Sequence, residues 1–195
     1  PSWLERDRFI LSKGHSCEVL YAILADLGFI PESLLVSCSQ NGNLLGGHPD
    51  RHIAGVEIDT GSLGHGLGIG AGLALSAQID NKDFMTYVLL GDGECYEGAI
   101  WEAAMFAAHH NLNNLVVIVD RNKQITLDYT EECNSLEPFA QKWVAFGWHT
   151  VTVNGHSFPE LMSTFKNVCT QQKNMPIAII ANTVKGKGIS FMEGN

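Results

Sequence analysis

A Gly-Asp-Gly triplet, Gly91-Asp92-Gly93, and an asparagine thirty positions further on, Asn122, are the residues here whose types and spacing could hold a charged ligand. Asp92 follows an apolar run at residues 84–90 (FMTYVLL), and Asn122 follows a second run at 115–120 (LVVIVD) and Arg121. If both runs are strands of one parallel sheet, their carboxyl ends lie on the same edge, where open α/β sheets bind ligands. The pair then offers a carboxylate and an amide oxygen, hard donors that suit Mg2+ or Ca2+ rather than zinc. Gly91 and Gly93 would let backbone amides approach an anion. The helix that follows would point its positive end at the same place. Each piece alone also has a plain reading, a turn for the triplet and an Asx-turn for Asn122. Their recurrence at the ends of successive strands favours chemistry.

The elements needed to position these residues are legible. Residues 148–153 (WHTVTV) and 177–182 (IAIIAN) read as two further strands. Between the strands, residues 101–110, 136–146 and 157–172 have helical spacing; in the first, Trp101, Ala104, Met105 and Ala108 share one face. Residues 17–27 read as a helix with Ser16 before it and Gly28 after it. A glycine-dense stretch, residues 61–72 (GSLGHGLGIGAG), grades into a helical pattern through Ile79. Near-continuous apolar strands alternating with helices predict an α/β fold, a doubly wound parallel sheet with helices on both faces.

Composition narrows the partners. At 195 residues, 45% hydrophobic and 17% charged, the chain suits a single well-cored domain. A net charge of −9 without a basic stripe argues against nucleic acid. An anionic ligand would need a metal ion or local cations to overcome that field. The apolar runs are too short to span a bilayer. Five cysteines (Cys17, Cys38, Cys95, Cys133, Cys169) with no C-x-x-C suit reduced thiols and a cytoplasmic setting. Neither end has the look of a domain boundary, so the expectation is one domain, residues 1–195, from a longer native chain.

Gly-Asp-Gly, about thirty residues and an Asn resembles the thiamine diphosphate motif, and further blocks narrow the resemblance. Residues 7–15 (DRFILSKGH), 46–49 (GGHP), 60–66 (TGSLGHG), 90–98 (LGDGECYEG), 101–103 (WEA), 145–148 (AFGW) and 183–188 (TVKGKG) are similar to blocks of the transketolase family, in its order and spacing. Lys123 stands where many thiamine diphosphate enzymes have a second Asn, a departure that the transketolase branch shares.

The resemblance implies the diphosphate-binding half of an enzyme that transfers a two-carbon ketol unit from a ketose to an aldose. Its cofactors would be thiamine diphosphate and Mg2+, or Ca2+ or Mn2+ in its place. It places the metal ligands at Asp92, Asn122 and the backbone carbonyl of Gln124. His15 would reach the diphosphate and the reacting centre, with Lys13 adding charge, and His48 would touch the donor sugar. Gly61, Ser62 and Leu63 would contact the aminopyrimidine and hold the cofactor bent; Gly93 and Lys185 would also lie at the cofactor. His65 replaces a glutamine common in the family. Glu97 and Glu102 would join a cross-subunit carboxylate network, although acids near a helix start also simply favour its dipole.

The same resemblance implies a partner. The glutamate that protonates the pyrimidine belongs to a pyrimidine-binding domain, of which this chain holds no trace. Glu97, Glu102 and the apolar residues around Leu63 and Ile100 are therefore expected to meet that domain or subunit, giving a dimer or heterotetramer. Sugar or sugar-phosphate substrates would be read largely by the absent half. Two other readings compete: another thiamine diphosphate enzyme, such as a deoxyxylulose phosphate synthase or an oxo-acid dehydrogenase alpha chain, the latter opposed by the G-G-H-P and S-K-G-H blocks, and a non-catalytic regulatory homologue, opposed by intact Asp92, Asn122 and His15.

Overall fold

The computed structural model describes residues 3–170 and 174–194. Five strands form one sheet: β1 (Arg8–Leu11), β2 (Thr86–Gly91), β3 (Leu115–Arg121), β4 (His149–Asn154) and β5 (Ile177–Asn182). Their order is β1-β2-β3-β5-β4 and every pair is parallel. Of the three inner strands, β3 and β5 are almost wholly buried, which is why they read as continuous apolar runs. Edge strand β4 alternates threonine and valine and is mostly half-buried. The other edge, β1, lies within one of the sequence blocks but was not expected as a strand. Its four residues, RFIL, are too few to carry a period, and only pairing with β2 from Arg8–Thr86 to Leu11–Leu89 reveals it.

Helices α1 (Cys17–Asp26), α2 (Gly66–Ile79), α3 (Gly98–His109), α4 (Thr130–Cys133), α5 (Phe139–Ala145) and α6 (Phe158–Thr170) connect the strands. All the expected helices are present; Gln171 and Gln172, at the end of the last one, lie outside the described residues. Right-handed crossovers explain the layering. From β1 through β2 and β3 to β4 the chain advances in one direction, so α2, α3 and α5 share a face. From β4 back to β5 it reverses, so α6 lies on the other face.

The first face holds the larger core, in which Val88, Leu90, Val117 and Val119 meet Leu67, Ala74, Ile100, Ala104 and Trp143. Ile100 is thus fully buried within the chain and is not available to a partner, contrary to expectation. Helix α2 is rich in glycine and alanine because it lies against the sheet; a Cβ on Gly70 would come within 2.5 Å of Val88. The W-E-A and A-F-G-W blocks are packing elements here. Trp101, Trp143, Trp148 and Phe146 form an aromatic cluster with ring centroids 5.1–5.3 Å apart. The indole of Trp101 donates to the Cys95 carbonyl (2.9 Å) and that of Trp148 to the Ala104 carbonyl (3.0 Å). On the second face α6 sets Val168 and Phe165 against Val116, Ile177 and Ile179. Beside it an apolar groove of about 670 Å³ crosses Phe9, Leu11, Leu89 and Ile118 toward α1.

A third, small core lies between α1 and the long connection at residues 27–65, where Cys17, Tyr21 and Leu24 meet Ile30, Leu45 and Ile53. Tyr21 is fully buried and its hydroxyl donates to the His48 carbonyl at 2.7 Å, with the Gly46 carbonyl 3.1 Å away. Burial pushes this phenol well above its usual range, so it remains a donor. It anchors the G-G-H-P segment to the fold. Tyr21→Phe leaves two inward-facing carbonyls without that donor and is expected to lower stability by about 1 kcal/mol, read as a lower urea midpoint at unchanged slope.

Candidate functional site

Because all strands run parallel, their carboxyl ends bring Ser12, Asp92, Asn122 and Thr183 to one edge. Asp92, just past β2, is buried at 1% exposure. Its Oδ1 accepts from the Gly93 amide (2.8 Å); its Oδ2 accepts from the Arg121 guanidinium (2.9 Å) and the Lys123 amide (2.7 Å). The Asn122 Oδ1 accepts from the Gln124 amide (2.9 Å). Lys123 therefore ties the segment 122–124 to Asp92. The bridge between Gln124 and Tyr129 uses the Lys123 carbonyl and the Ile125 amide, so the Gln124 carbonyl is left out of it.

These three residues fit a hard divalent ion. A carboxylate or amide oxygen has two lone pairs, so Asp92 Oδ1 and Asn122 Oδ1 each have one to spare, and the Gln124 carbonyl takes no part in the bridge. Among the described residues no group of three or more His, Cys, Asp or Glu side chains could hold an ion by itself. The mixed oxygen set, completed by ligand oxygens, is the kind that a small divalent ion takes. The glycines do something other than expected. The Gly91 amide donates to the Glu94 carboxylate (3.1 Å) and that of Gly93 to Asp92, so neither faces an outside anion. Gly93 is required by packing: a Cβ there would meet Ile125 at 2.3 Å.

Three residues that sequence reasoning passed over organise this edge. Glu94 is 2% exposed and accepts from the Ser12 hydroxyl and from the amides of Gly64 (3.0 Å) and Gly91. It thereby ties the segment after β1 and the glycine-rich loop to the end of β2. Asp120 accepts from Lys13, Thr183 and Asn122, joining the segments after β1 and β5 to β3. Burial alone would raise the Asp120 carboxyl, but the Lys13 ammonium and these hydrogen bonds outweigh it and hold it below the ordinary range. The positive charge of Lys13 is accordingly spent on Asp120. Arg121, 2% exposed, pairs with Asp92, Glu131 and Glu137. Only the apolar strand running straight into D-R-N could have signalled that Arg121 lies inside and Asp120 partly so.

The histidines meet. The rings of His15 and His48 stand edge to face with centroids 4.8 Å apart, and both side chains are exposed, so neither is a core residue. His48 lies on Gly61, whose φ of 133° and whose missing Cβ, 2.9 Å from the imidazole, both demand glycine. Gly64, at φ 91°, is pressed against Glu97 in the same way (2.7 Å). The stretch 61–64 is thus held between His48 and Glu97, with Ser62 exposed and Leu63 half-buried at its tip.

The remaining candidates lie around this centre. Glu97 immediately precedes α3 without capping it, and Glu102 lies in its second turn; both are exposed. His65 precedes α2 and is exposed. Lys185, also exposed, extends its ammonium to 3.5 Å from the Ile125 carbonyl, next to Gln124. No helix among the described residues is long and apolar enough to cross a membrane.

Comparison with known proteins decides the family. The sequence pattern described as "Transketolase, thiamine diphosphate binding domain" matches residues 1–195. The chain belongs to the transketolase family. It is 44% identical over 194 residues to one of the subunits of the apulose-4-phosphate transketolase of Phocaeicola vulgatus, covering all of this chain and 69% of that protein. To the 6-deoxy-6-sulfo-D-fructose transketolase subunit SqwG of a Clostridium species it is 45% identical over 195 residues, covering 70% of the relative. It is 42% identical over 188 residues to human transketolase, but spans only 30% of that protein. The fold superposes on the transketolase of Campylobacter jejuni with a TM-score of 0.94 at 31% identity, covering 100% of this chain and 32% of that one. The parallel α/β sheet is therefore that of the thiamine diphosphate binding domain of transketolases.

Two outcomes follow from the geometry. Lys123 adopts a left-handed conformation at φ 65°, which asparagine tolerates better than lysine. Lys123→Asn, which restores the second Asn of the wider motif, is expected to raise stability by up to about 1 kcal/mol, read from thermal unfolding. The carboxylates supply a pH dependence. Hydrogen bonds from Ser135 and from backbone amides, and then Arg121, pull Glu131 down to about 2, and Arg121 lowers Glu137. Their folded-state values lie below the unfolded ones, so their contribution is fully present at neutral pH and disappears as the pH falls from about 4.5 through 2. A urea midpoint that falls across that window tests this; a flat profile contradicts it.

Proposed function

We propose that this chain is the diphosphate-binding half of a transketolase-type enzyme that moves a two-carbon ketol unit from a ketose to an aldose. It uses thiamine diphosphate and a divalent ion, Mg2+ by preference, and is completed by a pyrimidine-binding domain or subunit in a dimer or heterotetramer. The observation that carries the reading is the closing of the Lys123 amide on Asp92 and of the Gln124 amide on Asn122, which leaves a spare lone pair on one hard oxygen at each of two successive strand ends, while His15 and His48 pair ring to ring. Support for a separate partner comes from two relatives that are themselves named as subunits. They are named for different sugars at nearly equal identity to this chain, so overall similarity does not select the substrate.

When bound, thiamine diphosphate supplies an electron sink that allows a carbon–carbon bond beside a carbonyl to break and form. The protein's own contribution is placement and charge. Asp92, Asn122 and the Gln124 carbonyl would hold the ion, which would bring to this acidic chain the positive charge that a diphosphate needs. His15 would donate a hydrogen bond to the diphosphate side of the centre, and His48 to sugar oxygens. The backbone of residues 61–63, rigid because Gly61 and Gly64 are each pressed by a side chain, offers a fixed surface to the pyrimidine. Lys185 would border the diphosphate, whereas the amide of Gly93 is engaged by Asp92. Glu97, just before α3, and Glu102, on it, are exposed and would face the partner and continue its carboxylate network.

The test uses the assembled enzyme, with ketol transfer from a ketose donor measured against decarboxylating use of pyruvate. Transfer from the ketose supports the reading; use of pyruvate alone points instead to a related thiamine diphosphate enzyme. Asp92 is a poor probe of the metal site, because removing its charge also leaves buried Arg121 without its innermost partner. Asn122→Ala avoids this and is expected to weaken Mg2+ binding at saturating thiamine diphosphate more than about tenfold. His15→Ala and His48→Ala are each expected to lower turnover more than about tenfold, with stability changed by no more than about 0.5 kcal/mol. Normal turnover in both histidine variants contradicts the assignment.

A further inference from the structure

We infer that Arg121 is a positioning residue for the divalent-metal site, fixing which oxygen of Asp92 is offered to the ion and holding the segment that carries the other two ligands. The inference rests on the metal reading given above. Its basis is geometric. Both terminal nitrogens of the guanidinium are fully engaged: Nη1 donates to Asp92 Oδ2 (2.9 Å) and Thr130 Oγ1 (2.8 Å), and Nη2 to Glu131 Oε1 and Glu137 Oε1 (2.9 Å each). The Cζ lies 5.4 Å from the centroid of the Phe139 ring. One side chain at the end of β3 thereby joins the end of β2, both ends of the excursion at residues 122–130, and the start of α5.

The consequence falls on Asp92. Its Oδ2 takes two donors, Arg121 and the Lys123 amide, which use both lone pairs. Its Oδ1 takes only the Gly93 amide, so a single direction remains open to a cation. Arg121 thus selects the available oxygen and blocks the carboxylate from turning. The segment 122–124, bearing the Asn122 and Gln124 oxygens, is closed at its far end by Thr130, whose amide donates to the Lys123 carbonyl (2.9 Å) and whose hydroxyl accepts from Arg121. Charge points the same way. One guanidinium faces three carboxylates, which leaves an excess negative charge that a dication compensates. Buried ion pairs contribute little net stability compared with apolar packing, so orientation is the better account of why one stands here. A lysine could not replace the arginine, since a point charge cannot serve Asp92 on one side and Glu131 and Glu137 on the other.

The experiment measures binding in the complete assembled enzyme by titration calorimetry, with Mg2+ and then Ca2+ at saturating thiamine diphosphate, for the wild type, Arg121→Gln and Arg121→Lys. Both variants are expected to bind Mg2+ about 10- to 100-fold more weakly. Ca2+ affinity should fall less, because Ca2+ accepts irregular coordination and Mg2+ does not. A purely structural arginine would lower the unfolding temperature and leave the Mg2+ to Ca2+ preference of the folded protein unchanged. If Arg121→Gln does not fold, Arg121→Lys, which keeps the buried positive charge, carries the test alone. Wild-type Mg2+ affinity, or an unchanged ion preference, in a folded Arg121→Lys enzyme overturns the positioning role. Failure of the wild type itself to bind either ion overturns instead the metal reading on which it rests.

Discussion

A carboxylate removed from water must be met by donors, because a buried polar group without a partner is costly. At the carboxyl edge of this sheet that constraint applies to the buried Glu94 and Asp92 and in part to the half-buried Asp120, and each is met by donors from different segments. Glu94 gathers Ser12, Gly64 and Gly91; Asp92 gathers Gly93, Arg121 and Lys123; Asp120 gathers Lys13, Asn122 and Thr183. Loops are ordinarily the loosest parts of a domain. Here the loops that carry the site are bound to strand ends through charge, and the ligand-facing groups inherit the rigidity of the sheet.

The parallel arrangement makes this possible. Residues far apart in sequence, such as Lys13 and Asp120, become neighbours because each crossover returns the chain to the same starting edge. Antiparallel strands would have sent alternate ends to opposite sides. The glycine-rich loop adds a second kind of constraint, steric where the first is electrostatic: His48 and Glu97 press on Gly61 and Gly64, so the backbone between them has little freedom to move.

The sequence foretold the inner part of this organisation better than its supports. Four of the five strands and the helices were visible because apolar periodicity is local, and Asp92 and Asn122 were visible because strand ends are where ligands sit. Strand β1 was not, because RFIL has meaning only beside β2. Glu94, Asp120 and Arg121 were not, because a charged residue does not announce its burial; that depends on which donors the fold delivers. Lys13 was expected to add charge and instead neutralises Asp120. The amides of Gly91 and Gly93, expected to face an anion, turn inward to Glu94 and Asp92. Trp101 and Trp148 sit in blocks that mark the family, yet they serve the core. Family blocks thus mix residues that touch ligand with residues that hold those in place, and only three-dimensional structure separates the two.

The tryptophan cluster has an optical consequence. Trp143 and Trp148 are buried and Trp101 is half-buried beside them, whereas Trp3 is 67% exposed. Ultraviolet emission from this protein therefore has two environments, a short-wavelength component from the interior group and a long-wavelength one from Trp3. Trp101 is hydrogen-bonded to the Cys95 carbonyl, three residues beyond Asp92. The interior component is consequently a built-in reporter, needing no label, for movement at the carboxyl edge of the sheet.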